Sequence, residues 1–169
     1  MVEEQGVDAN IAIGEMLDTF GDHGYHLWDA IFELVDNSVD SFTKHHRKLK
    51  KARPNETKRI DINVDNKARS VTISDNAHGM SLKELKRALI PAKANLDQDG
   101  IGKYGMGLKT AASWLGKVWT VRTKQLGSTE EYVAKVDIPS LKQSLNNFIP
   151  IKTKKLGTSE RIKNQSYTI

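Results

Sequence analysis

Four glycines in eight residues, Gly100-Ile101-Gly102-Lys103-Tyr104-Gly105-Met106-Gly107, run into a stretch of helical periodicity that ends near Leu115. Glycine packed so densely at a helix start brings bare backbone amides to the positive end of the helix, where phosphate oxygens are readily received. Two common phosphate-binding folds do not suit the surroundings. Gly100, Gly102 and Gly105 satisfy the dinucleotide fingerprint in form, but that motif follows a buried strand, and here Lys93-Ala94-Asn95-Leu96-Asp97-Gln98-Asp99 precedes it. A P-loop needs glycine, lysine and Ser/Thr in direct succession, whereas Leu108 separates Gly107 from Lys109-Thr110.

The rest of the chain supplies the frame for this loop. Ile11 to Phe20 reads as a short helix, broken by Gly21 to Gly24. Leu27, Ile31, Leu34, Val35 and Phe42 recur at helical spacing and predict a long helix from His26 to about Lys51, ended by Pro54-Asn55. Ile60, Ile62 and Val64, then Val71 and Ile73, alternate as in a hairpin of half-buried strands (59–64 and 70–74) around Asp65 to Lys67. Ser81 with Glu84 forms a capping box for a helix through Leu89, closed by Pro91. Strands are expected at 117–122 and 132–136, a short helix near Pro139 and a last strand near Leu156. This order predicts an α+β fold: a two-layer sandwich with a mixed sheet covered on one face by helices.

Two polar clusters accompany the glycine loop. At about 100° per residue, Glu33, Asn37 and Asp40 fall within an arc of roughly 60°, with Asp29 and Asp36 beside them. A carboxylate one turn from a carboxamide can activate a water while the amide oxygen holds a hard cation. An amphipathic helix with an acidic wet face explains the same arc. Directly after the second hairpin strand comes Asp75-Asn76-Ala77-His78-Gly79-Met80. A carboxylate at a strand end can accept from the exocyclic amine of adenine, Gly79 lets a flat base approach the backbone, and Met80 offers a polarizable surface. A plain strand-to-helix turn also favours Asp, Asn and Gly.

In order and spacing, these segments resemble the ATP-site motifs of the GHKL superfamily, the Bergerat-fold ATPases, nearest to MORC-type and heat-shock-chaperone-like domains. The stretch from Ile31 to Ser41 is similar to the family's N-box, Asp75 to Met80 to its adenine box, and Gly100 to Gly107 to its lid-and-phosphate box. Gly157-Thr158 resembles the final Gly-Thr, whose threonine assists the adenine-bound aspartate. The resemblance implies a single ATP-binding domain over 1–169, with an N-terminal extension at 1–25 and an ATP lid loop at 91–103. It implies Glu33 as catalytic base, Asn37 as magnesium ligand, Asp75 as the adenine-selecting group and Asp40 at the nucleotide's border. Gly79 and Met80 would line the base, Thr158 would assist, and Gly102, Lys103, Tyr104, Gly105, Met106 and Gly107 with Lys109 would surround the phosphates. ATP and Mg2+ are the implied cofactors. The implied activity is magnesium-dependent hydrolysis to ADP and phosphate, slow in the isolated domain. It would drive a conformational or dimerisation switch, with a homodimer as a partner state and a following domain supplying a phosphate-sensing Lys or Arg.

Charge raises other classes. The formal net charge is +5, with a basic run from Lys44 to Arg53 and a second at Lys152, Lys154 and Lys155. Such runs attract nucleic-acid phosphate or are simply solvated, so a DNA-binding module is one alternative. The catalytic domain of a histidine kinase is another, disfavoured because no phosphoacceptor helix precedes the site. Two histidine pairs, His23/His26 and His45/His46, lack the carboxylate or thiolate partners of a complete metal site. The chain has no cysteine, no basic-then-apolar start and no run near the ~20 apolar residues of a membrane helix. A cytoplasmic, membrane-free protein is expected.

Overall fold

The computed structural model describes residues 12–22, 24, 26–90, 107–144 and 148–169. In chain order the elements are α1 (Ile13–Phe20), α2 (Leu27–Lys44), α3 (His46–Ala52), β1 (Ile60–Asp65), β2 (Ser70–Asp75), α4 (Leu82–Leu89) and α5 (Gly107–Leu115). They are followed by β3 (Val118–Lys124), β4 (Glu130–Asp137), α6 (Ile138–Ser144), β5 (Ile151–Lys155), α7 (Glu160–Asn164) and β6 (Tyr167–Thr168). The strands form one sheet in the order β1-β2-β6-β3-β4-β5. The expected two-layer α+β sandwich is the observed architecture. Its sheet is antiparallel in every pairing among the described residues, rather than mixed.

Helices cover one face because one face carries the apolar residues. Directly opposed residues in an antiparallel ladder point the same way, so Val121 with Ala134 and Trp119 with Val136 present one surface. Val121, Ala134 and Val136 are buried against Leu17 and Phe20 of α1, Leu85 and Leu89 of α4, and Ile138 and Leu141 of α6. Leu17 is fully buried, so α1 is part of the domain's core although it lies within the first 25 residues. A smaller cluster joins Phe42, Leu49 and Ala77, with Ile60 and Leu126 packed on it.

Local chemistry sets the element ends. Ser81 Oγ accepts from Glu84 N, and Glu84 Oε2 accepts from Ser81 N at 2.7 Å, completing the capping box at α4. Asp65 Oδ1 accepts from the amides of Lys67 and Ala68, closing the β1–β2 turn. The hairpin forms where expected, yet β1 is not half-buried: Ile62 and Val64 are exposed, because the small cluster reaches only the Ile60 end of the strand. The long helix expected through Lys51 is broken at His45, which leaves helical geometry (φ −108, ψ 15). Its ring stacks on that of His78, with centroids 3.8 Å apart and planes 18° from parallel. This bend turns α3 so that Leu49 reaches Ala77.

Candidate functional site

α2 positions the first group of polar residues. Ala30, Ile31, Ser38 and Phe42 are its buried face, while Leu27 is exposed. Glu33 and Asp40 are half-buried and Asn37 is exposed on the adjoining face. The Asn37 side-chain amide donates to the Glu33 carbonyl at 2.7 Å. That bond engages the NH2 end and not the amide oxygen. Asp40 sits 3.6 Å from Lys44, a partly exposed pair of small energetic weight.

Two other elements meet α2 within about one and a half turns. Ser38 Oγ donates to Asp75 Oδ2 at 2.7 Å, tying the middle of α2 to the end of β2. On the other side, Gly107 opens α5, and a Cβ there would collide with Glu33 Oε2. A larger residue there would displace the Glu33 carboxylate from the start of α5. Glu33 and Ser38 are five residues apart, about 7.5 Å along the helix, so one stretch of α2 touches both the Asp75 turn and the start of the α5 helix. Three of the sequence's separate motifs are thereby brought together.

Asp75 is held in a built environment. Its Oδ1 accepts from the amides of Ala77 (2.9 Å) and Thr168 (3.2 Å), and its Oδ2 from Ser38. Burial pushes its carboxyl above the ordinary 3.8, against the pull of those three donors. Gly79 follows at φ +69, in the left-handed region, and a side chain there would run into the Lys124 carbonyl. Met80 is half-buried and packs on the main core.

Other expected residues lie elsewhere. Gly102, Lys103, Tyr104, Gly105 and Met106, with the 91–103 loop, lie outside the described residues. Lys109, expected on phosphates, is instead buried, and its Nζ donates to the Ala88 carbonyl at 2.8 Å in the last turn of α4. Desolvation draws its pKa down to about 8. Thr158 sits in the connection between β5 and α7. The threonine in register with Asp75 is Thr168, on β6. Thr168 and Ser38 carried no motif signal. Ser38 could have been found as the polar residue on the buried stripe of α2; Thr168 belongs to a two-residue strand too short to announce itself.

The basic run is also divided. Arg53 turns inward: Nη2 donates to the Asn76 carbonyl (2.9 Å) and Ser166 Oγ (2.8 Å), and Nη1 pairs with Glu56. His45 is committed to His78. His46, Arg47, Lys48, Lys50 and Lys51 remain exposed. Lys152, Lys154 and Lys155 lie on β5, the opposite edge of the sheet, where charge discourages pairing with another chain's edge. Among the described residues no cluster of three or more His, Cys, Asp or Glu can hold a metal, and no helix is long and apolar enough to cross a membrane.

The histidine stack makes a prediction about pH. Burial lowers the pKa of both rings from 6.5. For His78, facing His45 and Lys48 lower it further, while the Gly79 backbone and Glu84 oppose; for His45, Lys48 and Lys44 lower it and Glu84 opposes. His78 Nδ1 is buried without a hydrogen-bond partner. A folded-state pKa below the unfolded one means that the unfolded chain takes up protons first. Stability is thus complete above about pH 6.5 and is lost as pH falls through the lowered values. Melting temperature measured from pH 7.5 to 5 is expected to decline, and His78→Phe, which keeps a flat ring, is expected to flatten that decline.

Comparison with known proteins agrees with this geometry. Residues 25–168 match the family described as histidine kinase-, DNA gyrase B-, and HSP90-like ATPase. The chaperone protein HtpG of Bacillus velezensis is 31% identical over 117 residues, covering 60% of this chain and 18% of HtpG. The chain thus spans about a fifth of that relative's length. A match over nearly the whole sequence, with α2, the Asp75 turn and the α5 start arranged around one site, places the chain in the histidine kinase-, DNA gyrase B- and HSP90-like ATPase family.

Proposed function

We propose that the chain binds Mg-ATP in the space bounded by α2, the Asp75–Met80 turn and the start of α5, and hydrolyses it slowly as a conformational or dimerisation switch. The observation that carries this is the double engagement of α2: Ser38 on Asp75 at one end of the site and Glu33 against Gly107 at the other. Asp75 offers acceptor oxygens to the exocyclic amine of adenine. Gly79, packed against the Lys124 carbonyl, holds the turn that presents its backbone and Met80 to the base. Glu33, at the N-terminus of α5, orients a water and takes its proton as it attacks the terminal phosphoryl group. In such a reaction most of the catalysis is positioning and charge stabilisation.

The donor set fits magnesium. Mg2+ takes few protein ligands and keeps waters and phosphate oxygens, so a hard oxygen donor from Asn37 suits it. Asn37 would hold the ion through its amide oxygen, with Asp40 at the border; the bound ion supplies charge neutralisation on the phosphates. Gly102, Lys103, Tyr104, Gly105 and Met106 are proposed to surround the phosphates, with 91–103 as the ATP lid loop. The exposed cations of α3 make a DNA contact a further proposal, testable by salt-dependent binding. A chaperone role would follow HtpG's name only if further domains accompany this one.

Calorimetric titration tests the core of the reading. ATP, ADP and a non-hydrolysable analogue are expected to bind, with magnesium raising ATP affinity and Asn37→Ala removing that increment. Absence of heat with all three nucleotides overturns it.

A further inference from the structure

We propose that Thr123 is a positioning residue that sets the base preference of the pocket by fixing the direction of the Thr168 hydroxyl beside Asp75. The inference rests on the reading of Asp75 as the base-contacting group. Asp75, Thr168 and Thr123 stand opposite one another across β2, β6 and β3, so their side chains share the helix-covered face. Thr123 is fully buried.

A hydroxyl has one proton and two acceptor lone pairs, and every one is assigned at Thr123. Its Oγ1 accepts from the Met80 amide at 2.9 Å. It lies 3.0 Å from the Tyr167 carbonyl, which can only accept, so the single Thr123 proton goes there. The remaining contact is with Thr168 Oγ1 at 3.2 Å. With the Thr123 proton already committed, Thr168 must donate in that pair. Its hydroxyl proton therefore points away from the pocket, and its lone pairs face the side where Asp75 stands. Asp75 and Thr168 together offer acceptors only. An exocyclic amine is matched there, while a carbonyl oxygen in the same place meets acceptor against acceptor, which favours an amino-bearing purine over an oxo-bearing one.

The same oxygen holds Met80 through its amide. Thr123 thus couples the floor of the base pocket to the strand that completes it, without touching the base. A hydroxyl placed only for stability would not alter which base is preferred.

Thr123→Val keeps the volume and removes the hydroxyl, freeing the Thr168 proton to rotate into the pocket. The expected result is a rise of about tenfold in KM and Kd for ATP, larger than any fall in kcat, with a smaller change for GTP, so that the ATP-over-GTP preference narrows. Thr123→Ser should restore it. In a double-mutant cycle, Thr123→Val added to Thr168→Val should narrow the preference no further than Thr168→Val alone. Circular dichroism and melting curves separate a lost pocket from a lost fold. Should Thr123→Val fail to fold, Thr168→Val carries the test, since it deletes the hydroxyl whose direction is at issue. A folded Thr123→Val or Thr168→Val variant that keeps the wild-type ATP-over-GTP ratio overturns the proposal alone. A wild-type chain that binds neither nucleotide overturns it together with the ATP reading.

Discussion

Glu33→Ala is expected to reduce ATP turnover by about 100-fold to 10,000-fold, the range for losing a positioned general base, while ATP still binds. The separation follows from where the residue sits. Glu33 faces the first residue of α5, whereas the base-side contacts of Asp75 run through Ser38, Ala77 and Thr168 on the other flank of α2. Glu33→Gln sharpens the test. It keeps the shape against Gly107 and the hydrogen-bonding reach, but a carboxamide cannot accept the proton. A carboxylate at a helix N-terminus also stabilises that helix, by about 0.3–1 kcal/mol, so both variants should melt slightly earlier than wild type. Phosphate release at the wild-type rate from a folded Glu33→Gln protein would remove the catalytic role.

Asp75→Asn has the opposite signature: binding is weakened and the fold is kept. The asparagine oxygen can retain the Ala77 and Thr168 amides, and its NH2 can donate to Ser38 Oγ, so no buried partner is stranded. What disappears is the charged acceptor for the ligand's amine. Hydrogen bonds to charged groups contribute about 1.5–3 kcal/mol, so ATP affinity is expected to fall about 10- to 100-fold by calorimetry. The raised pKa of Asp75 adds a sign that can be checked. A carboxyl raised in the folded state favours the fold when protonated, and that contribution fades as pH rises through the raised value. Free-protein stability at neutral pH should therefore be equal or higher in Asp75→Asn. Nucleotide binding needs the ionised form, so wild-type affinity should drop as pH falls toward that value, while the residual affinity of Asp75→Asn stays flat over the same interval. Wild-type affinity in Asp75→Asn would show that the base is read elsewhere.

Local rules carried much of this structure in the sequence. The Ser81–Glu84 box, the Asp65 turn and the β1–β2 hairpin each depend on neighbours within a few residues, and each is where the sequence predicts it. The arrangement of Glu33, Asn37 and Asp40 on one side of α2 is likewise a matter of helical pitch. Features set by distant partners were not legible. His45 breaks a helix whose own periodicity continues, because a ring from the Asp75–Met80 turn stacks on it. Arg53 reads as the end of a basic surface until Asn76 and Ser166 draw it inward. Gly157-Thr158 has the expected dipeptide, but Ser159 caps α7 just after it, and the strand that faces Asp75 forms ten residues later.

That late strand determines when the site can exist. β1 with β2, and β3 with β4 and β5, are pairings between sequence neighbours that can form as soon as each hairpin is made. Among the described residues the seam between these two halves of the sheet is β6, inserted between β2 and β3 by residues more than ninety positions after Asp75. Contacts so distant in sequence form late, since the intervening chain must be closed first. On a ribosome, a nascent chain could complete both hairpins and still have no threonine opposite Asp75. Competence for the ligand would then arrive in one step as β6 emerges, and half-made chains would leave the cell's nucleotide untouched.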